Sequence, residues 1–142
     1  MSESADAEGG CLCGAIHVAA KEFKTGLGAC HCTTCRKWGS GPYLSIDCGT
    51  EVSLDGEENL TVFDSSQWAE RGFCKQCGSH IFYRLKDSGQ YFLSAAILDD
   101  DSSFDFDHQI FIDEKPAYYT FANKTEDMTG AEVFAKFASP SD

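Results

Sequence analysis

Cysteine is the residue type in this 142-residue chain most able to do chemistry, and seven of its eight copies fall into three tight groups. They are Cys11 and Cys13, then Cys30, Cys32 and Cys35, then Cys74 and Cys77, with Cys48 standing apart. Thiolates grouped at such spacings are the usual donors for zinc, which takes four ligands in a closed structural site and three protein ligands plus an exchangeable one in a catalytic site. In Cys74-Lys75-Gln76-Cys77-Gly78 two intervening residues let the chain turn around an ion, and the glycine tolerates the positive φ such a turn needs. Cys11 and Cys13 leave the same face of an extended segment and can share an ion. A pair added to a pair makes four sulfurs, so Cys11, Cys13, Cys74 and Cys77 are assigned to a closed structural zinc site.

The middle group, Cys30-His31-Cys32-Thr33-Thr34-Cys35, offers three thiolates within six residues. Three donors leave a position for water or a substrate group, the coordination of a catalytic zinc. On an extended segment His31 points away from Cys30 and Cys32, so it reads as a partly buried histidine with a hydrogen bond and not as a ligand. Cys48 could close the triplet as a fourth donor, although its place at the end of the apolar strand Tyr43–Cys48 suits a buried free thiol. Cys32-Thr33-Thr34-Cys35 also has dithiol spacing, which admits a redox centre. Arg36 and Lys37 follow the triplet directly and could raise the local potential there. Arg71, Arg84 and Lys115 are further cations to place, and His80 follows Cys77 at a spacing compatible with ligation.

The elements that must hold these groups are predicted to be short strands. Runs rich in β-branched and aromatic residues lie between Gly, Asp, Asn and Ser clusters. They are residues 15–20, 28–32, 43–48, 60–63, 69–74, 80–85, 91–96 and 108–112, with turns at Asp55-Gly56, Cys77-Gly78 and Asp87-Ser88-Gly89. Helix is confined to one turn from Thr33 or Thr34 to Trp38 and a segment over 129–137. The expected fold class is mainly β, a single-domain zinc-binding β-sandwich-like fold of many short strands. Residues 1–9 and 139–142 are expected to be flexible ends, with the zinc domain spanning 10–138.

A formal net charge of −12 argues against nucleic acid or an anionic membrane as a partner. The first ten residues carry acids where a secretory leader needs a basic start, and no apolar run is long enough to span a bilayer. A cytoplasmic location is therefore expected, where thiols bind metal more readily than they form disulfides.

Three stretches together resemble the glutathione-dependent formaldehyde-activating enzyme family, whose domain also occurs in centromere protein V. They are Gly10-Cys11-Leu12-Cys13-Gly14, Cys30-His31-Cys32-Thr33-Thr34-Cys35-Arg36-Lys37 and Arg71-Gly72-Phe73-Cys74-Lys75-Gln76-Cys77-Gly78-Ser79. His108-Gln109-Ile110-Phe111 and Lys115-Pro116-Ala117 are similar to the family's late segment. The resemblance implies a mostly β zinc fold related in architecture to methionine sulfoxide reductase B. It also implies structural zinc ligands at Cys11, Cys13, Cys74 and Cys77 and a catalytic set at Cys30, Cys32 and Cys35. The implied reaction is carbon-sulfur lyase chemistry on glutathione and formaldehyde, forming S-hydroxymethylglutathione. Arg36 and Lys37 are then expected to hold the carboxylates of a glutathione-like thiol. The competing reading of the same residues is a non-enzymatic zinc scaffold or protein-interaction module whose triplet is closed by Cys48, a histidine or a partner.

Overall fold

The computed structural model describes residues 6–137. Strand makes up 40% and helix 18%, so the chain is mainly β, as its sequence predicts. The described residues divide into two compact units, one made of residues 6–25 and 45–104, the other of 26–44 and 105–137. Each is assembled from two separate stretches. For that reason no composition shift or linker marks the division, and the sequence reads as one domain.

In the first unit, β1 (Ala7–Gly10), β2 (His17–Ala20) and β5 (Val52–Asp55) form an antiparallel sheet in the order β1-β2-β5. The other strands of this unit run in the order β4-β9-β8-β7-β6: β4 (Tyr43–Asp47), which belongs here from Ser45 onward, β9 (Tyr91–Ser94), β8 (His80–Leu85), β7 (Ala69–Cys74) and β6 (Leu60–Phe63). β4 pairs with β9 through Ser45, Ile46 and Asp47. Alternation along these strands turns Val18, Ile46, Ile81 and Leu93 inward, each fully buried together with Ile16 and Cys48. Burying each of the aliphatic side chains stabilises the unit by about 1.5–3 kcal/mol. Gly72 faces the Phe82 ring across β7 and β8, and a Cβ there would meet that ring at 2.5 Å.

In the second unit, β3 (Gly26–Cys30), β10 (Asp105–Ile110) and β11 (Glu126–Met128) are parallel, with β10 in the middle. The helix α1 (Thr33–Gly39) follows β3 almost immediately. The helix α2 (Gly130–Phe137) packs Phe134 edge-on against Phe111 at 5.6 Å between centroids. Among the described residues no helix is long and apolar enough to cross a membrane.

Strand bounds match the sequence reading at residues 60–63, 69–74 and 80–85. Elsewhere they shift. The strand expected over 28–32 occupies Gly26–Cys30, because Cys32 caps the helix that follows. Ala7–Gly10, inside the segment read as a flexible end, is a strand because it pairs residue for residue with β2. Residues 1–5 and 138–142, including the expected flexible tail at 139–142, lie outside the described residues.

Candidate functional site

Two sulfur clusters stand out, one in each unit. In the first unit the thiols of Cys11, Cys13, Cys74 and Cys77 lie within 4.8 Å of one another. β1 ends at Gly10, and Cys11 opens a tight turn closed by the Gly14 N–H donating to the Cys11 carbonyl at 3.1 Å. The two cysteines therefore meet through a turn, not along an extended segment as their spacing suggests. The facing turn begins where β7 ends at Cys74, and the Gly78 N–H donates to the Cys74 carbonyl at 2.7 Å. Gly78 has φ +80, the left-handed conformation that favours glycine.

Backbone amides point at the sulfurs. The Ile16 N–H donates to Cys11 Sγ at 3.3 Å and the Gln76 N–H to Cys74 Sγ at 3.4 Å. Ser79 Oγ lies 3.2 Å from Cys77 Sγ and accepts from the Leu12 N–H at 3.1 Å, linking the two turns. The Ser79 hydroxyl and then its N–H hold the Cys77 thiol down to about 5. At Cys13 the Ala15 N–H favours the thiolate, but desolvation and the neighbouring sulfurs outweigh it and raise the thiol to about 11.

The spacing fits a metal and not a bond. Cys13 Sγ lies 3.7 Å from Cys11 Sγ and 3.8 Å from Cys74 Sγ, against about 2 Å for a disulfide. Four sulfurs at about 2.3 Å from a tetrahedral zinc would be separated by about 3.8 Å. His80 is not part of the cluster, and Arg71 lies over the Tyr83 ring at 4.8 Å.

In the second unit Cys30, Cys32 and Cys35 form the other cluster, again within 4.8 Å. Cys30 ends β3, Cys32 is the N-cap of α1 and accepts from the Cys35 N–H at 3.4 Å, and Cys35 is buried in the first turn of α1. The Cys32 and Cys35 sulfurs, followed by burial, push the Cys30 thiol far above its ordinary value. Three thiolates packed so closely need a cation to coexist. Thr33 donates from both its N–H and its hydroxyl to Glu114, at 2.8 and 3.2 Å, so a carboxylate ties down the start of α1.

Arg36 is half-buried, and its Nε donates to the His31 carbonyl at 2.9 Å; Lys37 is exposed. The other cations are committed. Arg84 pairs with Glu70 at 3.1 Å, and Lys115 Nζ donates to the Tyr119 and Pro116 carbonyls at 2.5 and 3.1 Å. Cys48 belongs to the first unit. Burial, with the Asp47 charge, pushes its thiol up to about 12.

His31 is fully buried and is not part of the sulfur cluster. Its Nδ1 lies 2.8 Å from Tyr119 Oη and its Nε2 lies 2.7 Å from Gln109 Oε1. Burial lowers its pKa. Gln109, Tyr119 and Glu114 carry no spacing signal that ties them to the triplet. Gln109 arrives there only because β10 pairs in parallel with β3, setting Gln109 opposite Ala29 and Ile110 opposite Cys30.

A mainly β chain thus carries one four-cysteine and one three-cysteine cluster, each of which could hold a metal ion through sulfur. The profile of the glutathione-dependent formaldehyde-activating enzyme family matches residues 6–114, and the chain belongs to that family. An uncharacterized lyase of Schizosaccharomyces pombe is 41% identical over 127 residues, covering 89% of this chain and 93% of the relative. A crystal structure of a Rhodobacter sphaeroides protein is similar at TM-score 0.56 and 26% identity, covering 65% of this chain and 87% of that one. Tyr119, Thr125 and Asp127 lie beyond the family match.

Proposed function

We propose that the chain is a zinc-dependent carbon-sulfur lyase-type enzyme that joins a glutathione-like thiol to a small carbonyl such as formaldehyde, giving S-hydroxymethylglutathione. In this reading Cys30, Cys32 and Cys35 hold the working zinc, and Cys11, Cys13, Cys74 and Cys77 hold a structural one. The observation that carries it is the unequal donor count of the two clusters, three sulfurs against four. Family membership and the lyase relative support the reaction class.

The reaction forms one C–S bond, and the thiol proton ends on the former carbonyl oxygen, with nothing oxidised or reduced. A zinc ion at the three sulfurs would supply Lewis acidity toward a carbonyl oxygen and lower the pKa of a thiol. Arg36 and Lys37, on the helix that carries Cys35, supply the positive charge that orients a thiol bearing carboxylates. Arg36 is the better placed of the two, because its bond to the His31 carbonyl fixes the guanidinium beside the triplet. Arg84 is given no such role, since Glu70 neutralises it.

The test is exchange between free formaldehyde and S-hydroxymethylglutathione, followed by ¹³C NMR with and without the zinc-loaded protein. Exchange should exceed the spontaneous rate and fall back to it in Cys32→Ser, a variant expected to keep the zinc of the four-sulfur site. No acceleration by protein loaded at both sites would sink the proposal.

A further inference from the structure

Every polar atom of His31 is tied. Its N–H donates to the Ile110 carbonyl at 3.1 Å, its carbonyl accepts from Arg36 Nε at 2.9 Å, and both ring nitrogens are within hydrogen-bond distance of side chains. The side-chain bonds continue outward. Gln109 Nε2 donates to Thr125 Oγ1 at 2.8 Å, and the Thr125 hydroxyl donates to Asp127 Oδ1 at 2.6 Å.

This chain has only one consistent direction. A carboxylate offers lone pairs alone, so the single hydroxyl proton of Thr125 is spent on Asp127. Thr125 then accepts from the Gln109 amide nitrogen, which turns the amide oxygen toward His31. The imidazole must carry its proton on Nε2 to meet that oxygen, and in the neutral ring Nδ1 is left to accept from the Tyr119 hydroxyl. Breaking a link would leave a buried donor or acceptor unpaired, and the segment would shift to regain a partner.

We propose that this one-way chain anchored on Asp127 makes His31 a positioning residue that pre-sets the Cys30 and Cys32 sulfurs. His31 stands between the two cysteines, so locking its ring and both its backbone groups locks the backbone that carries both sulfurs. The three-sulfur site is then formed before any ligand arrives. The inference rests on the reading of the triplet as a metal site. Its outer end is open to substitution, since Asp127 is exposed and, with Thr125 and Gln109, lines a cavity of about 470 Å³.

The experiment combines ring ¹⁵N NMR of His31 with chelator-driven zinc release, both on the zinc-loaded protein and on its Thr125→Val and Thr125→Ser variants. The four-sulfur site in the same molecule is the internal reference. The wild type should show His31 protonated on Nε2. Thr125→Val should speed release from the three-sulfur site about tenfold, the scale on which outer partners of metal ligands act. Thr125→Ser, which keeps the hydroxyl, should restore the slow rate, and release from the four-sulfur site should not change in either variant. A His31 proton on Nδ1, unchanged release in Thr125→Val, or equal acceleration at both sites overturns the proposal. A protein that takes zinc only at the four-sulfur site contradicts the metal reading of the triplet, and the His31 tautomer then decides the chain: Nε2–H supports it and Nδ1–H overturns it.

Discussion

His31 Nε2 and Gln109 Oε1, 78 positions apart in sequence, meet at 2.7 Å behind the three-cysteine cluster. Their contact depends on the parallel pairing of β3 with β10, which puts Gln109 beside Ala29 and lets the Ile110 carbonyl receive the His31 N–H. The sulfurs are thus held by a residue that is not a ligand, and that residue is held by a distant strand.

The two clusters should respond differently to loss of a sulfur. Cys74→Ser removes a fully buried donor at the junction of β7 with its turn, and a structural zinc site contributes folding energy outright. Native mass spectrometry and thermal melts should show Cys74→Ser largely unfolded, and Cys32→Ser folded with one zinc. Equal loss of folding in both would contradict the division.

Lys37 is exposed and makes no ion pair among the described residues. If it helps hold the carboxylates of the thiol, Lys37→Gln should raise KM for glutathione a few-fold with little change in kcat, and the difference should shrink at high salt. A fall in kcat at unchanged KM would assign it another role.

Gly78 tests backbone conformation alone. It has φ +80, and an added Cβ would meet nothing within 4 Å. Gly78→Ala should therefore cost about 1–2 kcal/mol through the left-handed conformation, without a steric contribution. Urea unfolding of the zinc-loaded protein measures it, and a change under about 0.3 kcal/mol would contradict it.

The buried thiol of Cys48 predicts an alkaline loss of stability. Burial raises its folded pKa from an ordinary 9 to about 12. The folded state therefore keeps a proton that the unfolded state releases above pH 9. The stabilisation is complete below pH 9 and fades as pH rises from 9 toward 12. Between pH 8 and 10 this should remove about 1.4 kcal/mol of unfolding free energy in the wild type beyond the change seen in Cys48→Ala. Parallel pH dependences in the two proteins would show that Cys48 does not titrate this way.

Much of the site was legible because its signal is local. The Cys74-x-x-Cys77-Gly78 turn and the Cys30, Cys32 and Cys35 group are both set by short-range spacing, and the structure gathers each as that spacing predicts. The turn at Cys11 was misread as extended because a single intervening residue fits both conformations. What lies behind the triplet was not legible. Gln109, Thr125 and Asp127 reach His31 only through pairing of strands far apart in sequence, and polar residues in such strands look like ordinary surface. The same limit explains Ala7–Gly10, whose sequence carries no apolar alternation and becomes a strand through its partner β2, as β-structure set by context does; Val52–Asp55 alternates over only four residues and is a strand through the same partner. In Ala69–Cys74 and His80–Leu85 the bounds follow from the turns that flank them, at Cys77-Gly78 and Asp87-Ser88-Gly89, and not from apolar alternation.

The central claim is that the two sulfur clusters hold zinc unequally. A crystal structure with anomalous diffraction collected at the zinc edge tests it most directly. The account predicts two zincs: one bound by Cys11, Cys13, Cys74 and Cys77, the other by Cys30, Cys32 and Cys35 with a fourth ligand that the protein does not supply. A single zinc, or a fourth protein ligand such as Cys48 closing the triplet, would contradict it.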